Sequence, residues 1–171
     1  MKLTKRINIG LAAMGNPWRY DDWMRSVPLA DLKPLQRLKD VGWVNLAVDA
    51  RDDLTASIAL LDMQNPAPEF KSFSETAAAI AALDAVVAID CSVAHVAAAM
   101  GKKVWVLAPS SIEWRWRIGD DTSPWWPTAS SLHCKRPGEW KIPIEQLVKE
   151  LERFVEDELR KQEQSGPKAP G

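Results

Sequence analysis

The sequence predicts an α/β fold, a Rossmann-like three-layer α/β/α sandwich with a mostly parallel sheet. Three observations carry that expectation. Short apolar runs bounded by turn formers alternate with segments of helical period, the pattern of successive β-α-β units. Those runs are apolar nearly throughout, as strands buried on both faces are. The length of 171 residues, 46% hydrophobic and 26% charged, suits one domain that buries about 70% of its unfolded surface and needs no disulfide or metal to hold a core.

The elements follow in order. Ile7–Ala13 is short and apolar and reads as the first strand. Residues 14–28 hold Gly15, Asn16, two prolines and several charges, and read as a loop. Leu29, Leu32, Leu35 and Leu38 place a helix over Leu29–Asp40, with Pro34 blurring its regular start and Gly42 beyond its end. Trp43–Val48 reads as the second strand and Ile58–Leu61 as a short third. Asn65–Pro68 is a loop, after which Ser74 is a plausible N-cap for an alanine-rich helix through Leu83. Ala85–Ile89 is a strand, Val93–Met100 a helix ended by Gly101, and Lys103–Ala108 a strand stopped by Pro109. Ser110–Ser130 is a long loop with four tryptophans, which argues for function over disorder. Ser131–Lys135 reads as an edge strand. Ile144, Leu147, Val148, Leu151, Phe154 and Val155 then share one helical face. One domain is expected over residues 1–161, with a flexible tail over 162–171.

Composition narrows the function classes. The net charge of −1, from 22 basic and 23 acidic residues, lacks the broad basic footprint of a nucleic-acid binder. No apolar run reaches the roughly 18 residues of a membrane span; the longest, Ala77–Ile89, is broken by Asp84. Two cysteines, Cys91 and Cys134, make no disulfide scaffold and suit a reducing cytoplasm. The Lys5-Arg6 lead into Ile7–Met14 imitates a signal peptide only faintly, because Asn8 and Gly10 interrupt it. Tryptophan is over-used: nine of thirteen aromatics, five of them between Trp105 and Trp126.

In a parallel sheet, ligands sit at the carboxyl ends of the strands, so loops 14–28, 90–92 and 109–127 converge on one cleft. Asp90-Cys91-Ser92-Val-Ala-His95 joins a strand to a helix within three residues. The free amides at that helix start favour an anion such as phosphate; Ser92 can donate to it or cap the helix, and His95 lies one turn in. A capping serine with a buried, satisfied histidine is the plain alternative. Cys91 and His95 at i,i+4 also fit a nucleophile and base, though no third group orients them. Cys91, His95, His133 and Cys134 are zinc-ligand types without zinc-ligand spacing. Gly15-Asn16 is a turn that lets backbone approach a ligand, or a turn only. Glu113-Trp114-Arg115-Trp116-Arg117 alternates rings and cations, fit either to stack on a base or sugar and pair with phosphate or to pack Trp inward and Arg outward.

Taken together, several ordered stretches resemble one family. They are Gly10-Leu-Ala-Ala-Met-Gly15-Asn16-Pro17 with Asp22 and Arg25-Ser-Val-Pro-Leu29; Phe73-Ser-Glu-Thr76 through Leu83-Asp84; Ile89-Asp90-Cys91-Ser92-Val-Ala-His95 with Gly101-Lys-Lys-Val-Trp-Val-Leu107; and Trp114-Arg115-Trp116 with Asp121-Thr-Ser-Pro-Trp-Trp-Pro127. The chain is similar, over about residues 7–155, to the heptosyltransferase-like glycosyltransferase domain of GT-B type often found behind tetratricopeptide repeats, and more distantly to the catalytic half of O-GlcNAc transferases. The resemblance implies the C-terminal, nucleotide-sugar-binding half of a GT-B fold. It implies a nucleotide-diphosphate sugar as donor substrate, with no further cofactor and no metal. It assigns donor binding to Gly15, Asn16, Arg25, Asp90, Cys91, Ser92, His95, Trp114 and Arg115, and leaves the catalytic residue unknown. The chain departs from the family at Trp18, Tyr20 and Trp23, where the loop is usually basic, at Cys91, usually threonine, and at Met14, usually small and polar. The acceptor half is missing from this sequence. The expected partners are a nucleotide-diphosphate sugar and either a partner chain that supplies that half or a second copy, as a homo-oligomer through residues 144–160. The alternative function is a degenerate, non-catalytic module that binds a protein through its Trp-rich loop or last helix.

Overall fold

A computed structural model describes residues 3, 5–48, 52–111, 116 and 123–164. Five strands, β1 (Ile7–Ala12), β2 (Val41–Asn45), β3 (Ala85–Ile89), β4 (Lys103–Ala108) and β5 (Ala129–His133), form one sheet in the order β2-β1-β3-β4-β5. Every pairing is parallel. The expected Rossmann-like α/β architecture is therefore present.

The two-residue alternation of each strand divides its apolar side chains between two cores. Ile7, Ile9 and Leu11 of β1, Val87 and Ile89 of β3, and Trp105 and Leu107 of β4 face one side. There they meet α2 (Leu29–Leu32), α3 (Asp52–Leu61) and α6 (Lys141–Gln164). Ala12, Val86, Ala88, Val104 and Val106 face the other, under α4 (Phe73–Ala81) and α5 (Ser92–Ala99). The second core is lined by small residues, so α5 lies close over the sheet. A Cβ on Gly10 there would collide with Leu46 and Leu83. Gly101, at φ +73°, ends α5: its N–H reaches Ala98 O at 3.0 Å and the Lys102 N–H reaches Ala97 O at 3.1 Å, a left-handed cap that glycine adopts without strain.

Several boundaries differ from the sequence expectation. Ile58–Leu61 is the last turn of α3, not a strand; Asp52 and Asp53 in its first turn favour the helix start. The expected helix at 29–40 is a single turn, α2, followed by a 3-10 turn over Lys33–Arg37, because Pro34 has no N–H to continue the α-helical ladder. A short helix, α1 (Asp22–Arg25), stands inside the expected loop 14–28. The N-cap of α4 is Ser72, not Ser74: Ser72 Oγ accepts from Glu75 N–H at 3.4 Å and the Glu75 carboxylate accepts from Ser72 N–H at 3.1 Å, a capping box. β2 begins two residues early and leaves Val48 outside it, exposed. β5 lies two residues before its expected place. The last helix runs through Gln164, so 162–164 are helical; Gln162 and Arg6 bond each other at 3.2 and 3.3 Å. The rest of the expected tail, 165–171, lies outside the described residues. Among the described residues no helix is long and apolar enough to cross a membrane.

The chain passes from β1 to β2 on one side and then crosses back over β1 to β3 on the other, so the winding direction reverses beside β1. In open parallel sheets such a reversal opens a crevice at the carboxyl ends of the strands.

Candidate functional site

A cleft of about 220 Å³ occupies that crevice. Gly15, Asn16, Arg19 and Arg25 line it from the β1 side, Cys91 and Ser92 from the start of α5, and Leu46–Val48 after β2 form its apolar wall. A larger hollow, about 280 Å³, lies beside Lys5, Val41 and Asp62 at the amino ends of β1 and β2. The strand polarity singles out the smaller cleft as the candidate site.

The loop after β1 is braced from within. Gly15 N–H donates to Ser26 Oγ at 2.9 Å, Ser26 Oγ–H donates to Asp22 Oδ1 at 2.7 Å, and Val27 N–H donates to Ala13 O at 2.9 Å. A Cβ on Gly15 would stand 2.8 Å from Asp22 Oδ1. Glycine is thus required at 15 by the packing of α1 behind it, and its amide is spent on Ser26. Asn16 turns the chain: its Oδ1 accepts from Trp18 N–H at 2.9 Å, and its carbonyl from Arg19 N–H at 3.1 Å.

Arg25, on α1, reaches across the crevice and donates to the backbone carbonyl of Asp90. A guanidinium has five N–H donors, so this anchor fixes the side chain without exhausting it. Arg19 is half-exposed, and its guanidinium is clamped on the Asp21 carboxylate at 2.8 and 2.9 Å. That pair holds the Asp21 carboxyl below its ordinary range, the hydrogen bond from Arg19 outweighing partial desolvation.

The N-cap of α5 is Cys91, with extended backbone (φ −149°, ψ 174°) and no side-chain cap bond. Ser92 is the first helical residue, so it does not cap; its side chain is exposed at the cleft. The first amides of α5 therefore have no side-chain oxygen at the cap, only the weakly accepting Cys91 sulfur, the condition that favours an anion. Burial pushes the Cys91 thiol up, and the nearby amides of Ala94 and Val93 and the charge of Arg25 do not offset it. A thiol held protonated is a poor nucleophile, so the Cys91–His95 nucleophile reading has no support from the site.

Asp90 and His95 are not among the residues that line this cleft. The Asp90 carboxylate is buried and accepts from Trp116 Nε1–H at 2.9 Å, with His95 Nε2 at 3.5 Å. Burial alone would raise this carboxyl; the bonds from His95 and Trp116 and the charge of Arg25 overcome it and hold it below the usual carboxylate range. The His95 ring stacks on Trp116, with centroids 5.3 Å apart and planes 19° off parallel, and tilts against Trp126 at 6.1 Å. Trp116 is fully buried in the core under α5. Asp90 is a positioning residue: its carboxylate holds the Trp116 indole, and its carbonyl aims Arg25.

Of the expected site residues, Gly15, Asn16, Arg25, Cys91 and Ser92 share the cleft, while the buried Asp90 and the half-buried His95 pair with each other and with Trp116 beside it. Trp114 and Arg115 lie outside the described residues. Sequence reasoning missed Ser26 and Asp22 as the brace of Gly15, Arg19 as a cleft residue, and Trp116 as the partner of Asp90. His133 bonds Ser131 Oγ at 2.9 Å and Cys134 is buried, its thiol pushed up to about 12 by burial. Among the described residues no three His, Cys, Asp or Glu side chains gather where they could hold a metal ion, so the zinc reading lacks its ligands. The apolar face of α6, from Ile144 to Val155, packs into the chain's own core, so pairing of copies through residues 144–160 would have to use the polar face of that helix. Comparison with protein families, curated proteins and solved structures finds no match.

Proposed function

We propose that the cleft binds the diphosphate of a nucleotide-diphosphate sugar, as the donor side of a glycosyl transfer. The observation that carries this reading is the convergence of Arg25, Arg19 and the uncapped start of α5 on one crevice at the carboxyl edge of a parallel sheet. Two guanidiniums and a row of helix amides suit a doubly charged, multi-oxygen anion better than a single carboxylate. When the glycosyl–oxygen bond breaks, negative charge grows on the departing diphosphate, and fixed donors aimed at it lower the barrier. Among the described residues lining the cleft there is no carboxylate or imidazole; the Asp21 carboxylate beside it is held by Arg19. An acceptor hydroxyl therefore finds no base there, so the reading is of donor binding and leaving-group stabilisation, with the acceptor side supplied by another domain or chain. The resemblance of residues 7–155 to heptosyltransferase-like domains supports the same reading.

A thermal-shift screen with UDP-, GDP-, ADP- and dTDP-sugars tests it. A rise in melting temperature with at least one of them is expected; no shift with any at millimolar concentration sinks the proposal.

A further inference from the structure

The cleft, at about 220 Å³, is smaller than the roughly 300–1,000 Å³ of ordinary small-molecule pockets. A sugar nucleotide gripped by its diphosphate must run out over the rim. On the β1 side the lining residues Asn16 and Arg19 belong to the turn that also bears Trp18 and Tyr20, whose side chains are 93% and 91% exposed. Large rings left in water on a mobile tip would carry little meaning. These stand on a braced turn: Trp18 N–H is held by Asn16 Oδ1 at 2.9 Å, Arg19 N–H by Asn16 O at 3.1 Å, and Asp22 N–H by Arg19 O at 3.2 Å. The backbone that carries the rings is thus already set, and binding has only the two side chains left to order.

An aromatic face is electron-rich and attracts the C–H face of a pyranose. Arg19, which lines the cleft, lies between Trp18 and Tyr20 in sequence, so both rings stand next to a cleft residue. We infer that Trp18 and Tyr20 form a stacking platform for the sugar ring of the donor, while Arg25 and the start of α5 hold its diphosphate. This inference rests on the donor-binding reading above.

Calorimetric titration of wild type, Trp18→Ala and Tyr20→Ala tests it with matched pairs of probes: UDP and UDP-glucose, GDP and GDP-mannose, ADP and ADP-glucose, dTDP and dTDP-glucose. For the pair that binds, each variant is expected to weaken the sugar conjugate about tenfold while leaving the free diphosphate within twofold. Both substitutions are at exposed positions, so folding is preserved, and far-ultraviolet circular dichroism checks this. Equal weakening of both probes, or of neither, overturns the platform and leaves the donor-binding reading standing. Self-association of the wild type by sedimentation, lost in the variants, also overturns it, because the rings then serve a protein contact. If no probe binds the wild type, the donor-binding reading fails and the platform falls with it.

Discussion

The two sides of the β3–α5 joint are built on opposite principles. On the inner side the Asp90 carboxylate, Trp116 and His95 are closed on one another: the indole N–H has its acceptor, the rings stack, and water is largely excluded. On the outer side Arg25 spends one donor on the Asp90 carbonyl, Ser92 is exposed, α5 starts without a side-chain cap, and Trp18 and Tyr20 stand in solvent. One residue serves both sides, through its side chain inward and its backbone outward. The satisfied side supplies stability, and the unsatisfied side is available to a ligand. Substitutions should therefore separate cleanly into those that unfold the chain and those that only empty the cleft.

The largest effect is expected at Asp90. Asp90→Ala leaves the buried Trp116 N–H without an acceptor and is expected to cost about 3 kcal/mol of stability, measured by urea unfolding. Asp90→Asn keeps an oxygen for Trp116 and should lose about 1 kcal/mol, the part owed to charge. If the two variants unfold at the wild-type urea concentration, the inner side is not the anchor.

Arg25→Ala comes next and tests the other side. It removes a cleft donor and is expected to weaken nucleotide diphosphate binding by roughly 10- to 30-fold. Its unfolding midpoint should move far less than that of Asp90→Ala. A variant equally destabilised but unimpaired in binding would reverse the division drawn above.

Acid sharpens the comparison further. The folded Asp90 carboxyl lies below its ordinary value because His95, Trp116 and Arg25 outweigh its desolvation. A depressed folded pKa stabilises the protein above the unfolded value, about 4, and this contribution is lost as pH falls from there through the folded value. The wild type should thus lose stability below about pH 4 more steeply than Asp90→Asn, which has no proton to gain at that site. Parallel acid limbs in the two proteins would remove the carboxylate from the stability of the joint.

What was legible in the sequence follows the range over which each signal acts. β3 and α5 were readable because a continuous apolar run, a polar tripeptide and Gly101 mark the joint locally. Asn16, Arg25 and Ser92 could be placed on one cleft because parallel topology sends all carboxyl-end loops to the same edge. α3 was missed because Ile58–Leu61 alone is too short to distinguish strand from helix; the longer spacing of Leu54, Ile58 and Leu61 beneath Asp52-Asp53 carries the helical period. Ser72 lost to Ser74 although only Ser72 stands three residues before Glu75, the spacing a capping box needs. The role of Asp90 was unreadable for another reason: its partner Trp116 is 26 residues away, and nothing local records that a loop indole returns to cap a strand-end carboxylate.

The smallest effect is expected at Cys91, and its sign is the informative part. Cys91 holds the N-cap position of α5 with extended backbone and no side-chain cap bond. Serine is among the preferred residues there because its hydroxyl accepts from the free amides. Cys91→Ser should therefore stabilise the chain, by about 0.5–1 kcal/mol in urea unfolding. It should also leave nucleotide binding within a fewfold of wild type, since Arg25 and Arg19 remain. The wild-type thiol, pushed up by burial, should react with iodoacetamide at pH 8 more slowly than the same chain unfolded in urea. Fast alkylation of the folded chain, with loss of any measured transfer activity in Cys91→Ser, would make the thiol part of the chemistry. It would also move the reactive centre from the cleft's cations to the helix cap.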